Sequence, residues 1–254
     1  MAKRPSPPRG HVAPQGYDAG QYPSFAVTVD VVILTIVDDR LHVLLVQRLA
    51  DPYAGRWALP GGFKRPDETL DDAAGRELQE ETGVDATAYL RQLGAYGDPG
   101  RDPRTNVVTV AYLAVLRDIG ALQAGTDAGA AKVWPVAEVL DGHVELAFDH
   151  ERILRDAVER ARRDLETTSL ATAFVGPTFT LTELRGVFES LWETSYDPAN
   201  FHRKLTSEPG WLTPTGERST PGREGGKPAA RYRAGTLWST GAPLRQPRDR
   251  PSSG

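Results

Sequence analysis

Two nearly unbroken apolar segments near the start of the chain predict buried β-strands. The first covers 25–37 and the second 41–47, and both are rich in β-branched residues. Only three polar residues, 38–40, separate them, which indicates a hairpin. Further apolar runs at 107–116 and 132–136 predict two more strands. All of these runs are far shorter than a membrane-spanning helix, so we expect no association with a membrane.

Apolar residues spaced by three and four predict helices between and after these strands. Thr69, followed three residues later by Asp72, forms a capping pair for a helix that Gly83 ends. A short helical turn at 138–140 and a long helix at 149–166 with one apolar face follow. This mixture of strands and helices predicts a layered α/β domain.

The last third of the chain has a different pattern, with two short helices and a hairpin. Thr180 and Glu183 form a capping box that begins the first helix, and Asp197 and Pro198 begin the second. A Gly- and Pro-rich hairpin with the sequence RYR at 231–233 follows. This order predicts a winged helix-turn-helix domain.

These patterns divide the chain into five parts. The polar ends, rich in Pro and Gly, predict disordered tails. The parts are a tail at 1–24, an α/β domain at 25–147, a linking helix at 148–176, a winged helix-turn-helix domain at 177–238 and a second tail at 239–254.

Charge is distributed unevenly along the chain. The net charge is −4 over 254 residues, but residues 201–254 carry ten Lys or Arg against four Asp or Glu, which leaves −10 on the rest. A basic end favours an anionic partner such as nucleic acid. The chain has no cysteine, which excludes disulfides and thiolate metal sites. Because the apolar content is ordinary and the chain starts without an apolar leader, we expect a soluble cytoplasmic protein.

Three carboxylates lie close together on the first predicted helix. At spacings of three and four, Glu77, Glu80 and Glu81 share one face, where like charges repel unless a cation binds. Carboxylate oxygens suit Mg²⁺ or Mn²⁺. Gly61 and Gly62 allow the backbone to approach the ion and offer a carbonyl ligand, for which we assign Gly61. An acidic helix face exposed to solvent is the alternative for such a charge run.

The segment 62–84 as a whole extends this observation. It fits the pattern G-x5-E-x7-R-E-U-x-E-E-x-G-U, in which U is a bulky apolar residue, at every specified position. The positions are Gly62, Glu68, Arg76, Glu77, Leu78, Glu80, Glu81, Gly83 and Val84. This segment resembles the Nudix box, and the chain therefore resembles proteins of the Nudix superfamily.

The resemblance implies an α/β/α sandwich with a mixed sheet, and hydrolysis of a nucleoside diphosphate linked to another group. In the family, the glutamates that match Glu77, Glu80 and Glu81 bind Mg²⁺ and help to activate water, while the metal neutralises the diphosphate. Glu68 and Arg76 would pair and support the box. The general base varies across the superfamily, so none is assigned.

Four residues outside the box are candidates for ligand binding. Arg101 and Arg104 flank an Asp-Pro turn, and their guanidinium groups suit a diphosphate. This RDPR segment resembles ADP-ribose-handling Nudix proteins, although its spacing alone also fits an ordinary exposed turn. Arg48, at the end of the second strand, is a further candidate for phosphate or ribose. Trp57, just before the box, is either a ligand contact or a core aromatic.

The dipeptide Asp149-His150 begins the long helix. The pair is suited to acid–base catalysis, but an Asp at the start of a helix is commonly the N-cap. We therefore expect Asp149 to cap the helix and His150 to have a structural role.

The second short helix of the C-terminal domain predicts contacts with DNA. Phe201 and Leu205, four residues apart, would face the core and leave the polar side chains outward. Asn and Arg suit base edges, and basic side chains suit phosphates. The predicted contacts are Asn200, His202, Arg203 and Lys204 on the helix and Arg223, Lys227, Arg231 and Arg233 on the wing. A module for dimerisation or a substrate lid is the alternative.

The two halves together resemble the Nudix-related transcriptional regulators of NAD metabolism. The segments AFDH, FTLTELRGVFESLW and NFHRKL, which follow the box, carry this resemblance over about 25–235. It implies a homodimer that binds a double-stranded DNA operator and releases it when ADP-ribose or a related NAD metabolite binds. Many members have a degraded box, whereas this chain keeps its glutamates, so Mg²⁺-dependent ADP-ribose pyrophosphatase activity is also expected. The alternative is a plain Nudix hydrolase whose C-terminal module serves dimerisation or substrate capping.

Overall fold

The computed structural model describes residues 15–16, 18–83, 89–117, 128–207, 209–220, 228–236 and 244–246, with only the backbone described at 19, 81, 82 and 128. A short 3₁₀ turn, Ala19–Gln21, precedes the first strand. The strands of the first part are β1 (Ala26–Val37), β2 (Arg40–Arg48), β3 (Trp57–Ala58), β4 (Gly61–Phe63), β5 (Leu90–Tyr96), β6 (Val107–Val115) and β7 (Ala128–Pro135). Its helices are α1 (Leu70–Thr82), α2 (Val136–Leu140) and α3 (His150–Thr167).

These strands form one mixed sheet. β1 pairs in parallel with β6 on one edge. On its other edge it pairs antiparallel with β4 near its start and with β2 near its end. β5 lies beside β6, and β3 and β7 pair with β2. The predicted hairpin of β1 and β2 is confirmed, and its tight turn places Asp38 and Asp39 at φ values of 48° and 56°.

Both faces of the sheet are covered by helices, which explains the unbroken apolar runs in β1 and β2. Alternate residues of β1 face opposite sides. Val31 and Ile33 pack in the cluster that contains Leu78 of α1, while Val32 and Leu34 pack with α3. The expected α/β/α sandwich with a mixed sheet is confirmed, and α3, which the sequence assigned to a linker, supplies one of its layers.

The helix that carries the box has the predicted ends. The Thr69 side chain accepts a hydrogen bond from the Asp72 N–H, and the Asp72 side chain accepts one from the Thr69 N–H. Gly83 ends the helix in the left-handed region at φ 69°. These local signals fix where α1 starts and therefore which of its residues face the sheet.

The second part contains α4 (Leu170–Ala173), β8 (Phe179–Thr180), α5 (Leu181–Trp192), α6 (Pro198–Ser207), β9 (Leu212–Arg218) and β10 (Ala230–Ala234). The strands form a small sheet in the order β8-β10-β9. Phe188 of α5 packs edge-on against Phe201 of α6, with ring centres 5.8 Å apart. The predicted winged helix-turn-helix arrangement is confirmed.

The two parts share one hydrophobic core, because buried residues of α3, α5 and α6 belong to the same cluster as one face of the large sheet. Polar contacts reinforce the junction. The Ser190 hydroxyl donates to the Asp39 carbonyl at 2.9 Å, which places α5 against the β1–β2 turn. Arg162 of α3 donates to the Leu191 carbonyl at 2.8 Å, and the Trp192 indole N–H donates back to the Arg162 carbonyl at 3.1 Å.

A short segment near the end of the chain corrects the prediction of a disordered tail at 239–254. Leu244 is buried in the shared core. The Gln246 N–H donates to Glu166 Oε1 at 2.6 Å, and the Arg245 carbonyl accepts from the Tyr196 hydroxyl at 3.4 Å. A single leucine among Pro, Gly and polar residues has no periodicity, so its burial was not predictable. The rest of this predicted tail lies outside the described residues.

No helix in the described part of the chain is long and apolar enough to cross a membrane.

Candidate functional site

A cavity of about 600 Å³ opens between β1, β2, β4, α1 and the loop that precedes β6. It brings together residues that are far apart in sequence. The predicted site residues that line it are Arg48, Gly61, Gly62, Arg76, Glu77, Glu80, Arg101 and Arg104. Trp57 is outside the lining, because its ring packs edge-on against Trp134 with ring centres 5.5 Å apart. This packing corresponds to the core aromatic that the sequence left as the alternative.

The predicted pair of Glu68 and Arg76 is present and fixes the loop before α1 onto the helix. Arg76 donates through Nε and Nη2 to the two carboxylate oxygens of Glu68, at 3.0 and 2.8 Å. The Arg65 N–H donates to the same carboxylate at 2.7 Å. The hydrogen bonds from Arg76 lower the pKa of Glu68 to about 2 and raise the pKa of Arg76. The pair is ionised at neutral pH and supports the box.

Glu77 and Glu80 project from successive turns of α1 into the cavity. Arg76 Nη1 donates to Glu77 at 2.6 Å and to Glu80 at 3.1 Å, so one guanidinium bridges both carboxylates. Glu77 is buried, and burial raises the pKa of its carboxyl group. Glu80 is half exposed at the mouth of the cavity. The side chain of Glu81 lies outside the described residues, and in the part that the structure describes no three acidic or histidine side chains form a metal cluster.

The donor set here nevertheless fits a hard divalent cation. Carboxylate oxygens and backbone carbonyls are the ligands that Mg²⁺ prefers. A methyl group at Gly62 would overlap the Glu77 carboxylate, so a larger residue here would displace this oxygen pair from its place beside strand β4. Gly61 and Gly62 both line the cavity beside the carboxylates.

Arg101 has a different position from the one expected. Its side chain is only 5% exposed and donates to both carboxylate oxygens of Asp149, at 3.1 and 2.6 Å. Asp149 stands at the N-cap position of α3, but its side chain makes no capping hydrogen bond. The expected cap is therefore wrong, because the carboxylate that would cap the helix binds Arg101.

His150 and Asp30 lie beside this pair. His150 is buried, and its Nδ1 accepts a hydrogen bond from the Leu59 N–H at 2.9 Å. Because a backbone N–H can only donate, the ring proton is on Nε2, which lies 3.6 Å from Asp30 Oδ1. Burial lowers the pKa of His150, so the ring is neutral. The structural role expected for His150 agrees with its hydrogen bond to β3–β4 backbone, although the ring also lines the cavity.

Arg104 and Arg48 flank an aromatic ring that the sequence did not indicate. Both guanidinium groups lie near the Phe148 ring, at 4.8 Å for Arg48 and 5.7 Å for Arg104 from its centre. Arg104 also donates to both oxygens of Asp102, at 3.0 and 2.7 Å. Burial opposes ionisation of Asp102, but the hydrogen bonds from Arg104 outweigh it and lower the pKa of the carboxyl. Phe148 itself has φ 54°, a left-handed conformation that is rare for an aromatic residue.

The sequence reasoning thus missed several cavity residues, namely Asp30, Asp102 and Phe148. A signal existed for Asp30, which is a lone acid within the apolar run of β1. An acid at a buried strand position must find a partner or serve a ligand. No comparable signal existed for Phe148, whose place depends on the course of the chain before α3.

The outward face of α6 carries the predicted DNA contacts. Phe201 and Leu205 are buried, and the polar side chains between them are exposed. Arg203 Nη2 donates to the Asn200 side chain at 3.2 Å, while the Asn200 N–H donates to Asp197 at 2.8 Å and begins the helix. The four exposed residues are Asn200, His202, Arg203 and Lys204.

The basic residues of the wing differ in their exposure to solvent. Arg231 donates to the Thr178 hydroxyl at 3.0 Å and to the Thr178 carbonyl, so its guanidinium joins β10 to the turn before β8. This engagement explains why Arg231 is half-buried, in contrast to the expected contact with DNA. Arg233, two residues on, is exposed. The predicted contacts Arg223 and Lys227 lie outside the described residues.

The sandwich with its box and cavity defines a Nudix domain, joined here to a winged helix. Comparison with known families agrees: the NUDIX domain matches residues 26–157, and the NrtR DNA-binding winged helix domain matches residues 171–234. The chain therefore belongs to the Nudix superfamily, in the group that carries the NrtR winged helix.

Two curated relatives are similar to this chain. The chain is 34% identical to the ADPR responsive transcriptional repressor NtrR of Acinetobacter baylyi over 219 residues, which cover 85% of each chain. It is 39% identical to the ADP-ribose pyrophosphatase of Methanocaldococcus jannaschii over 132 residues, which cover 52% of this chain and 72% of the relative.

Two solved structures of Shewanella oneidensis NrtR are also similar. The complex with a 27mer DNA has a TM-score of 0.72 and 33% identity, and the match covers 87% of this chain and 99% of that one. The NUDIX domain in complex with ADP ribose has a TM-score of 0.52 and 40% identity, and the match covers 57% of this chain and 94% of that one.

Proposed function

We propose that the protein is an ADP-ribose-responsive transcription regulator, a repressor that binds a double-stranded DNA operator as a homodimer and releases it when ADP-ribose binds. The observation that carries the proposal is the exposed polar and basic face of α6, held in the same hydrophobic core as the cavity-bearing sandwich. The relatives that share this two-part architecture include a repressor described as ADPR responsive. Operator DNA and a nucleotide metabolite meet in the cytoplasm, where we place the protein.

The α6 face suits the major groove. Asn200 and Arg203 can donate to base edges, and Lys204 adds a positive charge for the phosphate backbone. Arg233 on β10 is exposed and supplies a wing contact. Because Phe201 and Leu205 fix α6 onto the core, its polar side chains are presented on a rigid support.

The cavity suits a nucleoside diphosphate sugar. Arg48 and Arg104 place positive charge beside the Phe148 ring, and a diphosphate is the part of ADP-ribose that needs this charge. The Arg101 guanidinium donates to the Asp149 carboxylate. We therefore assign Arg101 to fixing the cavity wall and not to binding the phosphates. The volume of about 600 Å³ is in the range of small-molecule sites.

Full-length protein and a labelled promoter fragment test this function. We expect a complex at physiological salt that ADP-ribose dissociates, while ADP and AMP dissociate it less. The matched control is Arg155→Ala, which removes an exposed charge on α3 away from α6. Absence of any DNA complex at low salt, on fragments from the gene's own promoter and from NAD-metabolism promoters, would refute the proposal.

The intact box favours a second activity, hydrolysis of ADP-ribose with Mg²⁺ or Mn²⁺ to AMP and ribose 5-phosphate. Glu77, Glu80 and Glu81, with the Gly61 carbonyl, would hold the ion, which would supply neutralising charge for the diphosphate. Arg76 and Glu68 keep the loop and α1 in register, and Gly62 makes room for Glu77. Burial raises the pKa of Glu77, and a bound cation would favour its ionised carboxylate.

Product analysis tests the second activity. Incubation of the protein with ADP-ribose and Mg²⁺ is expected to give AMP and ribose 5-phosphate in equal amounts, and chelation by EDTA is expected to stop the reaction. A protein that responds to ADP-ribose on DNA but forms no AMP with any divalent cation would be a sensor without hydrolysis.

A further inference from the structure

Asp30 is a buried carboxylate at the inner wall of the cavity. Its side chain is 9% exposed, and the exposed part faces the cavity that it lines. Among the described residues its oxygens have only long contacts, 3.5 Å from Oδ2 to Arg101 Nη2 and 3.6 Å from Oδ1 to His150 Nε2. No hydrogen bond to the Asp30 carboxylate exists within the described part of the protein. A buried carboxylate in this situation costs free energy.

Arg101 and His150, the two groups beside Asp30, make their hydrogen bonds to other residues. Arg101 gives its two shorter bonds, at 3.1 and 2.6 Å, to Asp149. His150 is fixed by the bond from the Leu59 N–H to Nδ1. Neither neighbour therefore gives Asp30 a hydrogen bond, and Arg48, which lines the same cavity, gives it none either. The inner wall therefore presents a carboxylate acceptor that no described group of the protein satisfies by a hydrogen bond.

This acceptor determines which part of a nucleotide can lie beside it. A diphosphate is repelled by a carboxylate and belongs with the arginines at the other wall. A neutral O–H or N–H group is suited to this place, because it can donate to a carboxylate that receives no hydrogen bond from the described part of the protein. Gly61 packs closely against this carboxylate, since a methyl group there would lie 2.3 Å from the Val29 carbonyl oxygen and 2.6 Å from Asp30 Oδ1.

We propose that Asp30 is a specificity residue that accepts a hydrogen bond from a neutral donor of the bound nucleotide, either a hydroxyl of the sugar beyond the diphosphate or the amino group of the base. This inference rests on the proposed binding of a nucleoside diphosphate sugar. A site whose buried acceptor is satisfied only by the right ligand rejects an analogue that lacks the donor, because the acceptor is then left unpaired.

Calorimetric titration of the full chain without added divalent cation tests the proposal. Asp30→Ala is expected to weaken ADP-ribose binding about ten- to a hundredfold, the usual range for a hydrogen bond to a charged group. Asp30→Asn, which keeps the shape and one acceptor, is expected to weaken it less. The matched control is Asp98→Asn, an exposed carboxylate paired with Arg152 outside the cavity, and it is expected to bind like the wild type.

Two analogues locate the donor. ADP lacks the distal sugar, and inosine diphosphate ribose lacks the amino group of adenine. If the penalty of Asp30→Ala disappears with ADP, Asp30 binds the sugar; if it disappears with the inosine analogue, Asp30 binds the base. A penalty of equal size with both analogues means that neither group is recognised and overturns the proposal.

Thermal unfolding without ligand separates recognition from a structural role. Arg101 keeps Asp149 when Asp30 is replaced, so Asp30→Asn is expected to leave the melting temperature unchanged or higher. A lower melting temperature combined with unchanged ADP-ribose affinity would show that Asp30 is only a counter-ion of Arg101, and the proposal would fail. If the wild type itself binds no ADP-ribose with or without Mg²⁺, the proposed ligand is wrong instead.

Discussion

The cavity and the α6 face are both charged, but their side chains are held in opposite ways. In the cavity, Arg76, Arg101 and Arg104 are each bound by a carboxylate of the protein at 2.6 to 3.1 Å. On α6, His202 and Lys204 are exposed. The cavity side chains lose their conformational freedom on folding, whereas the exposed side chains of α6 would lose it on binding the proposed DNA partner. A preordered pocket suits a small ligand, and an exposed cationic face suits a polyanion whose affinity depends on salt.

The largest expected effect separates the two regions completely. Glu80→Gln removes a carboxylate at the cavity mouth, so Mg²⁺-dependent formation of AMP from ADP-ribose is expected to fall on the order of a hundredfold or more. DNA affinity, measured by fluorescence anisotropy, is expected to stay unchanged because α6 lies elsewhere. Glu151→Gln, an exposed acid on α3, is the control for a charge change alone. Undiminished hydrolysis by the Glu80 variant would contradict the metal assignment.

The second effect tests whether the segment near the end of the chain supports both regions. Leu244→Ala removes a side chain that is buried in the shared core, so the free energy of unfolding is expected to fall by about 2 kcal/mol, at the lower end for buried leucines. Urea titration followed by circular dichroism measures it. Arg245→Ala, next to it and 80% exposed, is expected to change stability little. Equal stability of both variants would mean that Leu244 does not contribute to the core in solution.

The third effect concerns the exposed face alone. Arg203→Ala is expected to weaken operator binding about tenfold and to reduce the slope of log affinity against log salt by about one if the guanidinium contacts phosphate. Hydrolysis of ADP-ribose is expected to be unaffected. A variant with wild-type affinity and slope would remove Arg203 from the interface.

The smallest effect concerns the preordered cavity. The folded-state pKa of Glu68, about 2, is below the ordinary value of 4.5 because Arg76 donates to it. A depressed pKa contributes stability that is present above pH 4.5 and is lost as the pH falls from there towards 2. Glu68→Gln is therefore expected to show a shallower loss of unfolding free energy over pH 4.5 to 2 than the wild type. Parallel curves would show that the pair does not stabilise the folded state.

What the sequence predicts well is local. Each capping box lies within four residues, Thr69 with Asp72 and Thr180 with Glu183. Each of the two helices starts where its capping box predicts. The pairing of Glu68 with Arg76 also lies within one motif. Strand β5 was not predicted, because most of its residues are exposed or half-exposed and its pairing with β6 shifts in register between Gln92 and Gly94.

What the sequence could not predict depends on contacts between distant residues. Arg101 and Asp149 are 48 positions apart, and nothing near either residue indicates that they pair. The local sequence therefore predicts that Arg101 binds phosphate and that Asp149 caps the helix. The arrangement of Phe148 between two arginines has the same origin, since Arg48 is 100 positions away.

Strand β1 runs from the cavity towards the winged-helix part of the protein. Asp30 faces the cavity near its start, and the turn that receives the Ser190 hydroxyl of α5 follows its last residue, Val37. Seven residues of extended backbone span about 23 Å. Because β1 is hydrogen-bonded to neighbouring strands on both edges, its length is fixed. One strand and the turn after it therefore connect the cavity wall at Asp30 to α5, against which α6 packs.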